Sequence, residues 1–204
     1  MFNESRVTGP MIPLSLFRNR TLSVAVALGM LSNLTFYALI FVLSIYFQHV
    51  KGYTPIETGL ALLPFTVIML ANIASGRLAK RFAPRVPVIV GGLLTVLSFA
   101  LLHGIDADTP YLRILPSLLL LAIGSGISTP ALTSAILGGV EPSRSATASA
   151  IFNVARQVGS AMGVALFGTL LVGSPSHMAA GAAFSFDVSA LLRLAGALLA
   201  GLFL

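Results

Sequence analysis

The sequence predicts an all-α integral membrane protein of six transmembrane helices, and three observations predict it. The 204 residues are 56% hydrophobic and 9% charged, with a mean hydropathy of +0.97, where an ordinary soluble domain is about 25% charged. A water-soluble fold of this size could not cover so apolar a core. The apolar residues also gather into segments close to the ~20 residues that cross a bilayer. Between them stand "HVKGYTP", "GRLAKRFAPR", "HGIDADTPY", "GGVEPSRS" and "GSPSHMAAGAAFSFD", each rich in glycine, proline or charge. Finally, basic residues fall mainly on alternate breaks, the pattern that sets membrane topology.

The expected organisation is an N-terminal segment over 1–20 and a transmembrane unit over 21–204, with spans at about 21–48, 57–75, 86–103, 112–139, 146–172 and 186–204. Residues 1–20 hold only the short apolar piece "MIPLSLF" and no cleavage-site pattern, so insertion is expected to start with the first span.

The first span carries Asn33, Tyr37, Ser44 and Gln48, which at 100° per residue fall within about 60° of one another. The second and third hold Pro64 and Pro87, residues that membrane helices tolerate at kinks and ends. In the fourth, Ser125, Ser128, Thr129 and Thr133 share a broader face, and Pro116 and Pro130 interrupt the donor series. The fifth places Ser149, Asn153, Arg156, Gln157 and Ser160 within about 100°. Gly159 and Gly163 lie beside that face and form a GxxxG pair, the sign of close helix approach. The sixth span is the weakest, because it contains Arg193 and the chain stops at Leu204 with no polar flank. A truncated C-terminus is expected there.

Orientation follows from the cations. Arg6, Arg18, Arg20, Arg77, Lys80, Arg81, Arg85 and Arg144 share one side, while Lys51 and Arg113 are on the other. Positive-inside asymmetry then predicts a multi-pass protein of the cell (plasma or inner) membrane with both termini in the cytoplasm. The net charge of +6 comes without a basic run or an aromatic-interleaved patch, so no nucleic-acid partner is expected. With no cysteine, and with His49, His103 and His177 far apart, neither a metal site nor a cofactor is expected.

Polar stripes inside spans have two readings. Either they line a water-filled path for a substrate, or they tie helices together through hydrogen bonds of about 0.6 kcal/mol. Asn33, Phe36, Tyr37, Ser44, Gln48, Thr129 and Asn153 are the substrate-cavity candidates. Arg156 is twelve residues beyond Arg144, about 18 Å along a helix. A charge at that depth on a lone helix costs about 2.5–3.5 kcal/mol, so it needs protein or water around it unless it snorkels to the surface. The carboxylates Glu4, Glu57, Asp106, Asp108, Glu141 and Asp187 are all expected in loops or at span ends. A proton-coupled carrier needs an intramembrane acid, which this reading does not supply.

Taken in order, "PLSLFRNRT" (13–21), "NLTFYALIFVLSIYFQHVKGYTPIETGLALLP" (33–64), "GRLAKRFAPR" (76–85), "GSGISTPALTSAIL" (124–137) and "SATASAIFNVARQVGSAMGVALFG" (145–168) resemble the major facilitator superfamily. Within it they are most similar to the fourteen-helix drug:proton antiporters, the QacA/EmrB-like group, over the C-terminal six-helix half. The resemblance implies two six-helix halves, each of three-helix inverted repeats, rocking about a central cavity. It matches the cytoplasmic-loop signature G-x-L-A-D-R-x-G-x-R at Gly76, Leu78, Ala79, Arg81 and Arg85, with Lys80 in place of the usual aspartate and Ala83 in place of the usual glycine. By the same resemblance Gly76, Arg77, Lys80 and Arg81 are gating candidates. The fifth span becomes a gate-adjacent helix through Asn153, Arg156, Gln157, Gly159 and Gly163, and the first lines the cavity with Asn33, Phe36 and Tyr37.

The function expected is efflux of drugs or other small amphipathic molecules by proton antiport, with the bilayer, a small-molecule substrate and a missing N-terminal half as partners. A non-transporting scaffold or degenerate fragment is the alternative. An intramembrane serine protease built on Ser125 of "GSGIS" is remote, because no histidine or lysine in a span is available as its base.

Overall fold

The computed structural model describes residues 14–172 and 175–204, with the side chains at 14–15, 76–81 and 175–176 outside the described set. Among the described residues seven α-helices form the bundle: α1 (Arg20–Ile45), α2 (Pro55–Leu62), α3 (Val67–Arg81), α4 (Arg85–Leu101), α5 (Tyr111–Gly138), α6 (Ser145–Gly168) and α7 (Pro175–Phe203). The helices α2 and α3 are two parts of one crossing. Pro64 has no N–H to give to the helix ladder, and the chain tightens there into a 3-10 turn over Leu63–Thr66. Five helical stretches are long and apolar enough to cross a membrane, and the sixth crossing is the shorter apolar α4. Its 17 residues span about 25 Å.

Local chemistry sets the ends. Asn19 caps α1 by accepting from the Leu22 amide at 3.2 Å. Thr54 and Glu57 form a reciprocal capping box on α2, with Pro55 in the first turn where its missing N–H costs nothing. Gly52, with φ of +70°, makes the reversal between the π turn at Tyr46–Val50 and α2.

One expectation is corrected here. The last helix begins at Pro175 rather than near 186. Residues 175–187, "PSHMAAGAAFSFD", are only weakly apolar, but their small side chains let the helix start seat tightly. Ala182 is fully buried, and a Cβ at Gly181 would overlap the Leu170 carbonyl oxygen. Asp187 therefore sits inside α7, with helical turns on both sides, at the level where α4 ends. Its carboxylate meets His103 Nδ1 at 2.8 Å, just beyond α4.

The packing runs round a ring in the order α6, α1, α7, α4, α5, α3, with α1 also touching α5 across the middle. The helices α3 and α6 are the flanks. Lipid tails are as apolar as leucine, so close backbone approach rather than apolar burial selects the helix pairs. At α1–α6, a Cβ at Gly159 would overlap the carbonyl oxygen of Met30, and one at Gly163 that of Leu34. At α4–α5 the backbones of Gly91 and Gly124 come equally close. Serine adds cross-helix bonds, from Ser75 to the Ile127 carbonyl at 2.9 Å and from Ser98 to that of Ser117 at 2.7 Å.

Apolar side chains form two clusters. One, around Leu22, Val88, Leu132, Ile136 and Ala148, lies toward the end that carries Arg18, Arg20, Arg85 and Arg144. The other, around Leu43, Tyr46, Phe47, Phe99, Leu118 and Phe186, fills the opposite end. There Tyr46 donates to the Asp106 carbonyl, and Lys51 Nζ donates to Ala107 O at 2.7 Å and to Thr109 O.

In the same loop, the Thr109 hydroxyl donates to the Asp106 carboxylate at 2.8 Å. This bond, first among several, holds the Asp106 carboxyl below its ordinary value. A depressed folded value means that the tie is present above the ordinary carboxylate range and is lost as pH falls through the depressed one. Thr109→Val is expected to move the Asp106 titration upward, as read by carboxyl-carbon NMR, while the bundle itself stays folded.

Candidate functional site

Between the two apolar clusters the bundle turns polar. Ser32 and Asn33 of α1 and Arg156 of α6 occur eleven to thirteen residues from helix starts that carry Arg20 and Arg144, and Arg193 of α7 occurs ten residues before that helix ends at Phe203. That is about 15–20 Å into a hydrocarbon layer of about 30 Å. A cavity of about 110 Å³ opens at this level, lined by Ser32, Asn33, Phe36, Tyr37, Ile68, Ser125, Thr129, Arg156 and Arg193. Five helices supply its wall. A smaller void of about 20 Å³ lies on the other side of Ser32 and Arg193.

Arg156 is tied to α1. Its Nε donates to Asn33 Oδ1 at 3.3 Å, Asn33 Nδ2 donates to Ser160 Oγ at 3.3 Å, and Ser160 donates back to the Arg156 carbonyl at 2.9 Å. The guanidinium also lies over the Phe152 ring, 5.6 Å from its centre. The two stripes read separately on the first and fifth spans are therefore one network, and the glycine seam brings them together. A partner for Arg156 is present within this chain.

Arg193 is the residue that sequence reasoning missed. It is 5% exposed, and its guanidinium donates to Thr35 Oγ1 at 2.7 Å, Ser32 Oγ at 2.8 Å and the Ser32 carbonyl at 3.0 Å. All three acceptors are neutral oxygens of α1. The signal was available, since a lone arginine in an apolar span implies a polar surrounding.

Among the cavity candidates, Asn33, Phe36, Tyr37 and Thr129 meet in this wall. Phe36 stands edge-on to Tyr37 and to Phe65, at 5.5 and 5.8 Å between ring centres. The wall excludes the other three. Ser44 returns its hydroxyl to the Ile40 carbonyl at 2.8 Å, Gln48 is half-buried in the π turn, and Asn153 is exposed on α6 with Gln157. Thr129 and Thr133 also bond back to their own helix, to the carbonyls of Ser125 and Thr129. The Ser125 hydroxyl is buried and has no hydrogen-bond partner among the described residues. The side chains of Gly76, Arg77, Lys80 and Arg81, read as the gating signature, lie outside the described set, although α3 runs through them.

Comparison with known proteins agrees with this architecture. The Major Facilitator Superfamily sequence profile matches residues 3–164. The chain is 37% identical over 96% of its length to the methylenomycin A resistance protein of Streptomyces coelicolor, and covers 41% of that protein. It is 33% identical over 82% of its length to the tetracenomycin C resistance and export protein of Streptomyces glaucescens, and covers 31% of it. Crystal structures of a POT peptide transporter share the fold, one in complex with sulfate having a TM-score of 0.74 at 20% identity over 90% of this chain and 37% of that one. The chain thus spans less than half the length of these relatives.

Proposed function

The chain belongs to the Major Facilitator Superfamily, a family of membrane transporters rather than enzymes, and we propose that it forms the C-terminal six-helix half of an efflux carrier for small amphipathic molecules. The observation that carries this reading is the mid-depth cavity, walled by polar and aromatic side chains from five helices. A bundle held together only by interhelical bonds has no need of such a void. Family membership and the unpartnered Ser125 hydroxyl both speak against the serine protease, because a nucleophile needs a base within hydrogen-bond reach.

The remaining wall of the substrate path comes from a second half, in keeping with the 31–41% of each drug-resistance relative that this chain covers. By positive-inside asymmetry the end with Arg18, Arg20, Arg85 and Arg144 faces the cytoplasm. Export in exchange for protons needs a titratable group in the helices. The described carboxylates lie in loops, in a first helical turn or at the outward end of the bundle, so that group comes from the second half.

The test is export of a fluorescent amphipathic dye from cells carrying the chain joined to the first half of a relative. Export is expected to follow an imposed proton gradient, and Arg156→Gln is expected to cut it roughly tenfold through loss of cavity contacts. Unchanged export with both Arg156→Lys and Arg156→Gln removes Arg156 from the transport path, and no export by the native sequence rejects the carrier reading.

A further inference from the structure

The mid-depth cavity is lined by two arginines and, among the described residues, by no carboxylate. Two guanidinium groups therefore border one void. Among the described residues no carboxylate lies beside them. Glu57, Asp106, Asp108 and Glu141 lie in loops or in a first helical turn. Asp187 is on α7 but about 120° round the helix from Arg193, and it is turned to His103 at 2.8 Å. Arg193 spends three donors on neutral oxygens, and Arg156 only its Nε, on Asn33. A second, independent observation lies in the same wall. The Ser125 hydroxyl, on a residue 7% exposed, has no partner among the described residues and is a donor without an acceptor.

We propose that this cavity receives a carboxylate of the carried molecule between Arg156 and Arg193, so that the carrier selects organic anions. The inference rests on the carrier reading and names its substrate class. Like charges around a low-dielectric void repel each other, and an anion relieves both at once. The planar guanidinium fork of Arg156, bonded at Nε alone among the described residues, matches a carboxylate in two-point contact. Phe36, Tyr37 and Ile68 in the same wall fit an apolar remainder, which favours an organic acid over an inorganic anion.

The experiment uses the full chain in lipid nanodiscs and three matched fluorescent probes: naphthylacetate, naphthylacetamide and naphthylmethylamine. Naphthylacetate is expected to bind roughly tenfold more tightly than the amide, with the amine weakest. Arg193→Gln and Arg156→Gln are each expected to bring the carboxylate to the level of the amide, while Arg193→Lys and Arg156→Lys keep part of the preference. If Arg193→Gln fails to insert, Arg156→Gln, at a half-buried position, carries the comparison. Equal affinity for the three probes, preference for the amine, absence of binding, or a preference that survives both glutamine variants overturns the proposal. Selective carboxylate binding by a chain whose joined form exports nothing rejects the carrier and keeps the anion site. Export without carboxylate selectivity does the reverse.

Discussion

Arg193→Ala is expected to lower the thermal midpoint and the yield of folded protein more than any other substitution in the cavity wall. The native side chain makes three bonds to α1 at 2.7–3.0 Å, each worth roughly 1.5–3 kcal/mol for a charged donor. Alanine also leaves a void beside the small cavity at Gly92 and Leu132, and truncation of large buried side chains costs about 2–5 kcal/mol. The two effects overlap, so a net loss of about 3–5 kcal/mol is expected.

The charge and the volume can be separated. Arg193→Met fills the space and removes a cation that has no acid beside it, and replacing buried charges by well-packed apolar groups is often neutral or stabilising. The Thr35 hydroxyl keeps its own acceptors, Leu31 O at 3.0 Å and Ser32 O at 3.2 Å, so methionine does not orphan it. Methionine is therefore expected to fold nearly as well as the native chain. The measurement is the size-exclusion profile of a fluorescent-protein fusion after stepwise heating. Alanine and methionine falling equally would show that the charge itself holds the bundle.

Gly163→Leu is expected to have the second large effect, with Gly159→Leu close behind. A side chain at either position runs into a backbone carbonyl of α1, at Leu34 or at Met30. No change of rotamer relieves a clash with backbone, so the helices must move apart. The cost exceeds the ~1–3 kcal/mol of ordinary overpacking. Separation of α1 from α6 also breaks the bonds from Arg156 to Asn33 and from Asn33 to Ser160. Gly59→Leu is the control, since nothing lies within 4 Å of a Cβ there. In the heating assay Gly59→Leu is expected to behave as native and Gly163→Leu to run as aggregate. A native-like profile for Gly163→Leu would mean that the α1–α6 contact does not hold the bundle together.

Much of the bundle was legible because membrane insertion is written locally. Each of the first five crossings is an apolar run between charged or proline-containing breaks, and the helices found at Arg20–Ile45 and Tyr111–Gly138 start within a residue or two of where those runs begin. The start of α7 was not legible in the same way. Its first turns, "PSHMAAGAA", are too weakly apolar to register as a span, and Gly181 among them packs against Leu170.

The site divides along the same line. The sequence by itself determined that polar residues recur at helical spacing on the first, fourth and fifth crossings, because a period of 3.6 residues needs no knowledge of neighbours. It also determined that Gly159 and Gly163 form a close-approach face. Only the tertiary structure decided which stretch of each stripe meets the void. Asn33 and Tyr37 border it, while Ser44 and Gln48, on the same stripe, are about 10 and 16 Å beyond Tyr37 at 1.5 Å per residue. Only the packing of α7 against α1 put Arg193 opposite Ser32 and Thr35. Helical period tells which way a side chain faces, whereas its partner depends on which helix comes to lie there.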